Sequence, residues 1–146
     1  MIRVVWRPED FFEGLDLSGA NLSGLDLSGC YMIDCNLSNV NFTDASFNRA
    51  AIHDCNCNGA IFDDADFYKA AIWGGTFDDT KFYTNLSRCT IDRADLRKAQ
   101  LDWEFRESLF LCGSDVKLPE KVKVYDYETD TESWEPLYDV WGQVDW

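Results

Sequence analysis

The side chains able to do chemistry are few and poorly assorted for it. His53 is the single histidine, so neither a histidine metal cluster nor a nucleophile–histidine–carboxylate arrangement has its material. Six cysteines, Cys30, Cys35, Cys55, Cys57, Cys89 and Cys112, lack the spacing of a zinc site. The acidic pairs Asp63–Asp64 and Asp78–Asp79 are the remaining candidates, for a hard cation or for acid–base work. Such a cation takes roughly six or more oxygens from a curved loop, which a flat face does not supply. Gly14, Gly19, Gly24 and Gly29 recur every five residues and do not form a phosphate-binding loop. No catalytic residue, metal or cofactor is expected, and the chain does not read as an enzyme.

Charge narrows the partners. The chain of 146 residues carries 27 acidic against 13 basic side chains, a formal net charge of −14. That excess opposes direct binding to DNA, RNA or an anionic membrane, which requires Lys and Arg. It suits the reverse role, an acidic surface competing for a basic groove on another protein. The first residues, MIRVVWRPEDFF, have neither the apolar core of a secretory signal nor the Arg-rich pattern of an organellar one. Leu109–Cys112 is too short to span a bilayer. A soluble, cytoplasmic protein with reduced cysteines is the expectation.

The element that must position these groups is a repeat of five. From Leu15 the chain divides into LDLSG, ANLSG, LDLSG, CYMID, CNLSN, VNFTD and so on to GTFDD. The third residue of each unit, from Phe12 through Leu17, Leu22 and Leu27 to Phe77 and Phe82, is apolar. TKFY at 80–83 is one residue short, after which Leu86, Ile91, Leu96 and Leu101 resume the series. Nineteen apolar anchors in nineteen units have a chance probability on the order of one in a million. First positions are small, mostly Ala or Cys, and second positions favour Asp or Asn. A period of five fits neither a 3.6-residue helix nor a two-residue strand alternation. It fits a tight coil that turns a corner at every unit, with anchors on the axis and coils stacked at roughly 4.8 Å.

These units resemble the pentapeptide-repeat family, whose A(D/N)LXX pattern stands here as ANLSG at 20–24 and ADLRK at 94–98. The resemblance covers 12–103 and implies an all-β fold, a right-handed quadrilateral parallel β-helix with four units per coil, about 4.4 coils here. The units at 30–34, 55–59, 75–79 and 80–83 depart from the pattern. The chain then divides into a lead-in at 1–11, the solenoid at 12–103, and a cap and acidic Trp/Tyr-rich tail at 104–146. EFRESLFLC is expected to form a short capping helix, and KVKVYDYE at 121–128 alternates as an edge strand does.

With four units per coil, residues about twenty apart stack and outward positions sort into four faces. Asp44, Asp63 and Asp64 fall at or beside one corner, with Asp78 and Asp79 on the preceding face. Arg49, Lys69 and Arg88 form a basic corner column. Tyr31, Ile33, His53 and Trp73 gather on the fourth face as an apolar patch of the kind that marks an interface. The tail from 126 has seven acids, no bases and the aromatics Tyr127, Trp134, Tyr138, Trp141 and Trp146. It is expected either to interact as a disordered segment or to dock on the weakly basic last coil and the fourth face.

Two readings of function follow. The resemblance extends to proteins that protect DNA gyrase from quinolones, and implies a non-enzymatic inhibitor whose acidic solenoid imitates nucleic acid. Its contact residues would be Asp44, Asp63, Asp64, Asp78 and Asp79, and its partner a DNA-handling protein. The alternative is a structural or adaptor module that binds a protein partner through Tyr31, Ile33, His53 and Trp73, or through Trp134, Tyr138, Trp141 and Trp146. Salt separates them, because a charged contact weakens as salt rises and an apolar one does not. Neither reading fixes the oligomeric state.

Overall fold

A computed structural model describes residues 10–84, 86, 88–101, 116–126 and 128–136. Among the described residues nine short strands follow one another: β1 (Phe11–Glu13), β2 (Tyr31–Ile33), β3 (Ala51–His53), β4 (Ala71–Trp73), β5 (Lys81–Phe82), β6 (Thr90–Asp92), β7 (Gln100–Leu101), β8 (Lys121–Asp126) and β9 (Thr131–Pro136). No helix occurs among the described residues. The capping helix expected over 104–112 lies outside them.

The strands from β1 to β7 stack as a parallel β-solenoid of about four turns. β1, β2, β3, β4 and β6 form one sheet in which Tyr31, Ala51, Ala71 and Thr90 share a register column, as do Ile33, His53, Trp73 and Asp92. This is the fourth face of the sequence reading. Isolated parallel bridges continue the ladder on the other three sides, as Asp16–Asn36–Asn56, Asn21–Asn41–Ile61 and Asp26–Ser46–Asp66. Most backbone groups therefore pair with the turns above and below, while first-position N–H groups such as those of Ala45, Ala50 and Ala60 close the corner onto the anchor carbonyl three residues back in their own turn.

The corners explain the fifth position of each unit. Asp34, Asn39, Asp44, Arg49, Asp54, Asp64, Lys69, Asp79, Arg88 and Arg93 all adopt left-handed backbone, with φ between 50 and 60°. Gly, Asn and Asp tolerate that region best. Gly75 has a second reason to lack a side chain, since a Cβ there would lie 2.5 Å from the carbonyl oxygen of Cys55.

The second position is explained by hydrogen bonding. The side-chain oxygens of Asp16, Asn21, Asp26, Asn36, Asn41, Asn56 and Asp66 each accept the backbone N–H two residues on. On the first face these side chains also bond one another from turn to turn: the Asn36 amide donates to Asp16 at 3.1 Å and that of Asn56 to Asn36 at 3.4 Å. Much of the Asp and Asn periodicity is thus turn closure, in which a short polar side chain substitutes for a backbone partner.

The anchors fill the axis. Phe42, Phe62 and Phe82 stack nearly parallel at 5.0 and 4.9 Å between ring centroids, and Phe47 stacks on Phe67 at 4.9 Å. The two columns meet edge to face, at 5.1 Å between Phe42 and Phe47. All five rings are fully buried. Cys30, Cys35, Cys55 and Cys57 are buried free thiols in the same core. Burial pushes the thiols of Cys30 and Cys55 up to about 12.

The short unit leaves a clear trace. Ile61 pairs with Lys81 twenty residues on, but Ala71 pairs with Thr90 and Lys81 with Gln100, nineteen residues on. The missing residue falls between 81 and 90, at the corner where earlier turns carry Asp44 and Asp64. Thr80 and Thr84 occupy buried positions that are apolar in earlier turns, and their hydroxyls donate to the carbonyls of Cys57 and Ala65.

Beyond the last described coil, Lys117 bridges to Asp95, and β8 pairs with β9 in an antiparallel hairpin. Val122 is fully buried in the solenoid core, with Val116, Leu118 and Val124 packed against it. The strand read at 121–128 is present over Lys121–Asp126.

Phe62 touches four other rings of the axis. Phe62→Ala is expected to cost about 3–5 kcal/mol in urea denaturation, since stacked turns cannot collapse onto the space left. A loss under about 1 kcal/mol would show that the ring column does not hold the turns together.

Candidate protein-binding surfaces

Two surfaces on the solenoid differ in chemistry because register keeps each column on its own side. The first runs around the three sides outside the five-stranded sheet. Within residues 15–28, 35–48 and 55–68 the chain places Asp16, Asp26, Asp44, Asp63, Asp64 and Asp66, and no Lys or Arg. Asp44 and Asp64 occupy successive levels of one corner. Asp63 adjoins that corner on one side, and Asp26 and Asp66 on the other.

These carboxylates are not equivalent. Asp16 and Asp26 are held below the usual carboxylate range, chiefly by hydrogen bonds from Ser18 and Ser28. Asp63 is shifted up: partial burial disfavours its charge and adjacent Asp64 adds repulsion, while Lys81 and Lys123 work the other way. One oxygen of Asp63 is buried without a hydrogen-bond partner.

Asp78 and Asp79 stand apart from this group, on the preceding side, and Asp78 is paired with Lys98 at 3.0 Å. Asp95 is bound by Arg97 at 2.6 Å and drawn down to about 2, first by that hydrogen bond. The last turn is therefore the place where basic side chains answer the acids. The acidic residues legible in the sequence divide into a grouped set, Asp44, Asp63 and Asp64, and an ion-paired neighbour, Asp78, with Asp79. Asp26 and Asp66 belong with the grouped set on position. They were missed because second-position Asp reads as part of the repeat.

The second surface is the five-stranded face. Tyr31 is 45% exposed and Trp73 44%, while Ile33 and His53 are half-buried beside them. The structure brings all four residues onto one side, in two adjacent columns. His53 meets Trp73 edge to face at 4.8 Å, and the Arg93 guanidinium lies over the Trp73 ring at 5.3 Å. His53 Nδ1 is 3.3 Å from Asp54 Oδ2 without hydrogen-bond geometry. Phe11, 60% exposed and 6.2 Å from Tyr31, extends the patch. Sequence reasoning missed Phe11 because it precedes the first counted anchor, though its place twenty residues before Tyr31 was signal enough.

Flanking this face is the corner column Arg49, Lys69 and Arg88, of which two lie over Tyr68: Lys69 Nζ is 5.1 Å and the Arg88 guanidinium 5.7 Å from its ring. The hairpin does not cover the patch. β8 packs beside β7 on another side, and Lys123 lies 4.5 Å from the Tyr83 ring centroid. Trp134 is 45% exposed on β9. Tyr138, Trp141 and Trp146 lie outside the described residues. Among the described residues, no group of His, Cys, Asp or Glu is arranged to hold a metal ion, and no helix is long and apolar enough to cross a membrane.

Residues 11–82 match the family model described as "Pentapeptide repeat region". Among solved structures, the chain is similar to HetL, a pentapeptide repeat protein involved in heterocyst differentiation regulation from the cyanobacterium Nostoc sp. strain PCC 7120. The identity is 22% and the TM-score 0.49, over 65% of this chain and 51% of HetL. The match thus spans about half the length of HetL. A pentapeptide repeat protein of the Arabidopsis thaliana thylakoid lumen is 18% identical, with a TM-score of 0.45 over 92% of this chain and 88% of its own. Full-length QnrB1, a plasmid-mediated fluoroquinolone resistance protein, is 14% identical, with a TM-score of 0.35 over 82% of this chain and 96% of its own. No curated protein matches the sequence.

The two kinds of acid titrate apart. Asp95, with its folded pKa lowered, contributes stability above the unfolded carboxylate value and loses it as pH falls toward about 2. Asp63, raised by burial, opposes folding when charged, and that penalty disappears as pH falls through its folded value. In a carboxyl NMR titration Asp63 should protonate first on acidification and Asp95 well after it. The reverse order would contradict the packing described for both.

Proposed function

Residues 11–82 make this chain a pentapeptide-repeat protein, and on that premise we propose that it is a non-enzymatic, protein-binding inhibitor or modulator whose acidic side imitates nucleic acid. The single observation that carries this reading is the set of six carboxylates, with no Lys or Arg among them, over three sides of the first three turns. Three turns stacked at roughly 4.8 Å rise about 14 Å, so these charges come at about one per 2.4 Å. Duplex DNA carries about one per 1.7 Å of its axis. A basic groove shaped for a duplex would therefore meet a comparable line of charge on a rigid rod.

Asp44, Asp63 and Asp64 would lead the contact, with Asp26 and Asp66 beside them. Asp78 and Asp79 would lie at its edge, where Lys98 already answers Asp78. The partner is a DNA-handling protein, and the contact involves no cofactor. Right-handed winding with a quadrilateral section, a helical cap over 104–112 and a cytoplasmic setting belong to the same proposal. The four ladder columns and the free, buried thiols support its shape and its setting.

Affinity capture from lysate tests it. The full chain should retain DNA-handling proteins at low salt, release them as salt rises, and lose them to added duplex DNA. Asp44→Asn, Asp63→Asn and Asp64→Asn combined should reduce capture about tenfold or more. Capture of no DNA-handling protein, or capture indifferent to salt and duplex, would contradict the proposal.

A further inference from the structure

The five-stranded face has a charge pattern unlike the rest of the molecule. Its corner column on one flank holds Arg49, Lys69 and Arg88, and that on the other holds Asp34, Asp54 and Arg93. With Glu13 and Asp92 on the strands, acids and bases balance here in a chain of net charge −14. The face between them is apolar and uneven. Small Ala51 and Ala71 follow Tyr31 down one column, while bulky His53 and Trp73 follow Ile33 down the other.

We infer that this face pairs with the same face of a second copy, about a two-fold axis parallel to the solenoid. Such an axis keeps every turn at its own level and exchanges the two flanks. Arg49 flanks β3 on one side and Asp54 on the other, so each meets the opposite charge of the second copy. Lys69, one turn of about 4.8 Å away, adds to the attraction on Asp54. The same rotation sets His53 opposite Ala51 and Trp73 opposite Ala71, a large side chain against a small one at both levels, while Tyr31 comes opposite Ile33 at β2.

A two-fold perpendicular to the solenoid would instead bring the column of Arg49, Lys69 and Arg88 against itself, and like charges in contact oppose it. At the β6 level Arg88 comes opposite Arg93, so contact is closest at β2, β3 and β4. The left-handed backbone of Arg49 and Lys69, φ 60 and 58°, supports a role for these side chains. Asp, Asn or Gly would close the corner with less strain. The face measures about 20 Å by 10 Å, about 200 Å² on each copy against roughly 800 Å² per partner in a standard interface, so the dimer is weak and dependent on concentration. This pairing is independent of the acidic surface, which it leaves facing outward on both copies.

Sedimentation velocity of the full chain at physiological salt tests it, over roughly 10 µM to 1 mM, where a contact of this size is populated. A monomer–dimer equilibrium is expected. Arg49→Asp alone and Ala71→Arg alone should each weaken it about tenfold or more, and Arg49→Asp with Asp54→Arg should return it to within about threefold of the original. Position 71 is exposed on the sheet face, so Ala71→Arg decides the matter even if Asp54→Arg disturbs the corner at Gly74. A chain monomeric throughout, a dimer indifferent to Ala71→Arg, or a folded charge-swapped variant that fails to recover would overturn the inference.

Discussion

Everything in this molecule depends on the left-handed corner that closes each five-residue unit. A run of extended residues cannot turn inward every few positions unless one of them leaves the ordinary regions of backbone space. Here one residue in nearly every unit does so, at Asp34, Asn39, Asp44 and onward, with 80–83 and 94–98 the exceptions. Because corners recur at a fixed interval, identical positions of successive turns fall above one another. The backbone ladder, the stacked phenylalanines and the separation of surface chemistry all follow from that register.

Strict stacking has two consequences for the surface. Like residues come within about one strand spacing of each other, so a column of one charge accumulates repulsion. Asp44 above Asp64, and Arg49 above Lys69 above Arg88, are such columns. Their persistence invites a functional account, because a solenoid that needed stability alone would alternate signs along each corner. Stacking also keeps the sides independent. Each column keeps to its own side, so one chain can hold an acidic edge and a balanced apolar face on neighbouring sides.

The repeat made much of this legible. Nineteen apolar anchors and the small first positions disclose a solenoid without reference to any structure. The columns Tyr31–Ala51–Ala71–Thr90 and Ile33–His53–Trp73–Asp92 follow once twenty residues are taken per turn. The division of labour among the acids was not legible. Asp16, Asp26 and Asp66 are held by the backbone N–H two residues on, whereas Asp44 and Asp64 occupy corners, and composition counts them alike. The hairpin was half legible. Lys121–Asp126 alternates because Val122 and Val124 pack inward, but its partner Thr131–Pro136 is largely exposed and carries no burial pattern. The position of the short unit was clear from the anchors. That it removes the corner continuing Asp44 and Asp64, and so ends the acidic column, appears only when the turns are stacked.

The central claim is that charge is sorted by side. Paramagnetic relaxation of backbone amides by a cationic cosolute, divided by that from a neutral cosolute of the same size, measures the local potential residue by residue. The ratio should be highest around Asp44, Asp64 and Asp66 and near unity around Ala51 and Ala71, with the contrast shrinking as salt rises. A ratio uniform around the solenoid would contradict the account.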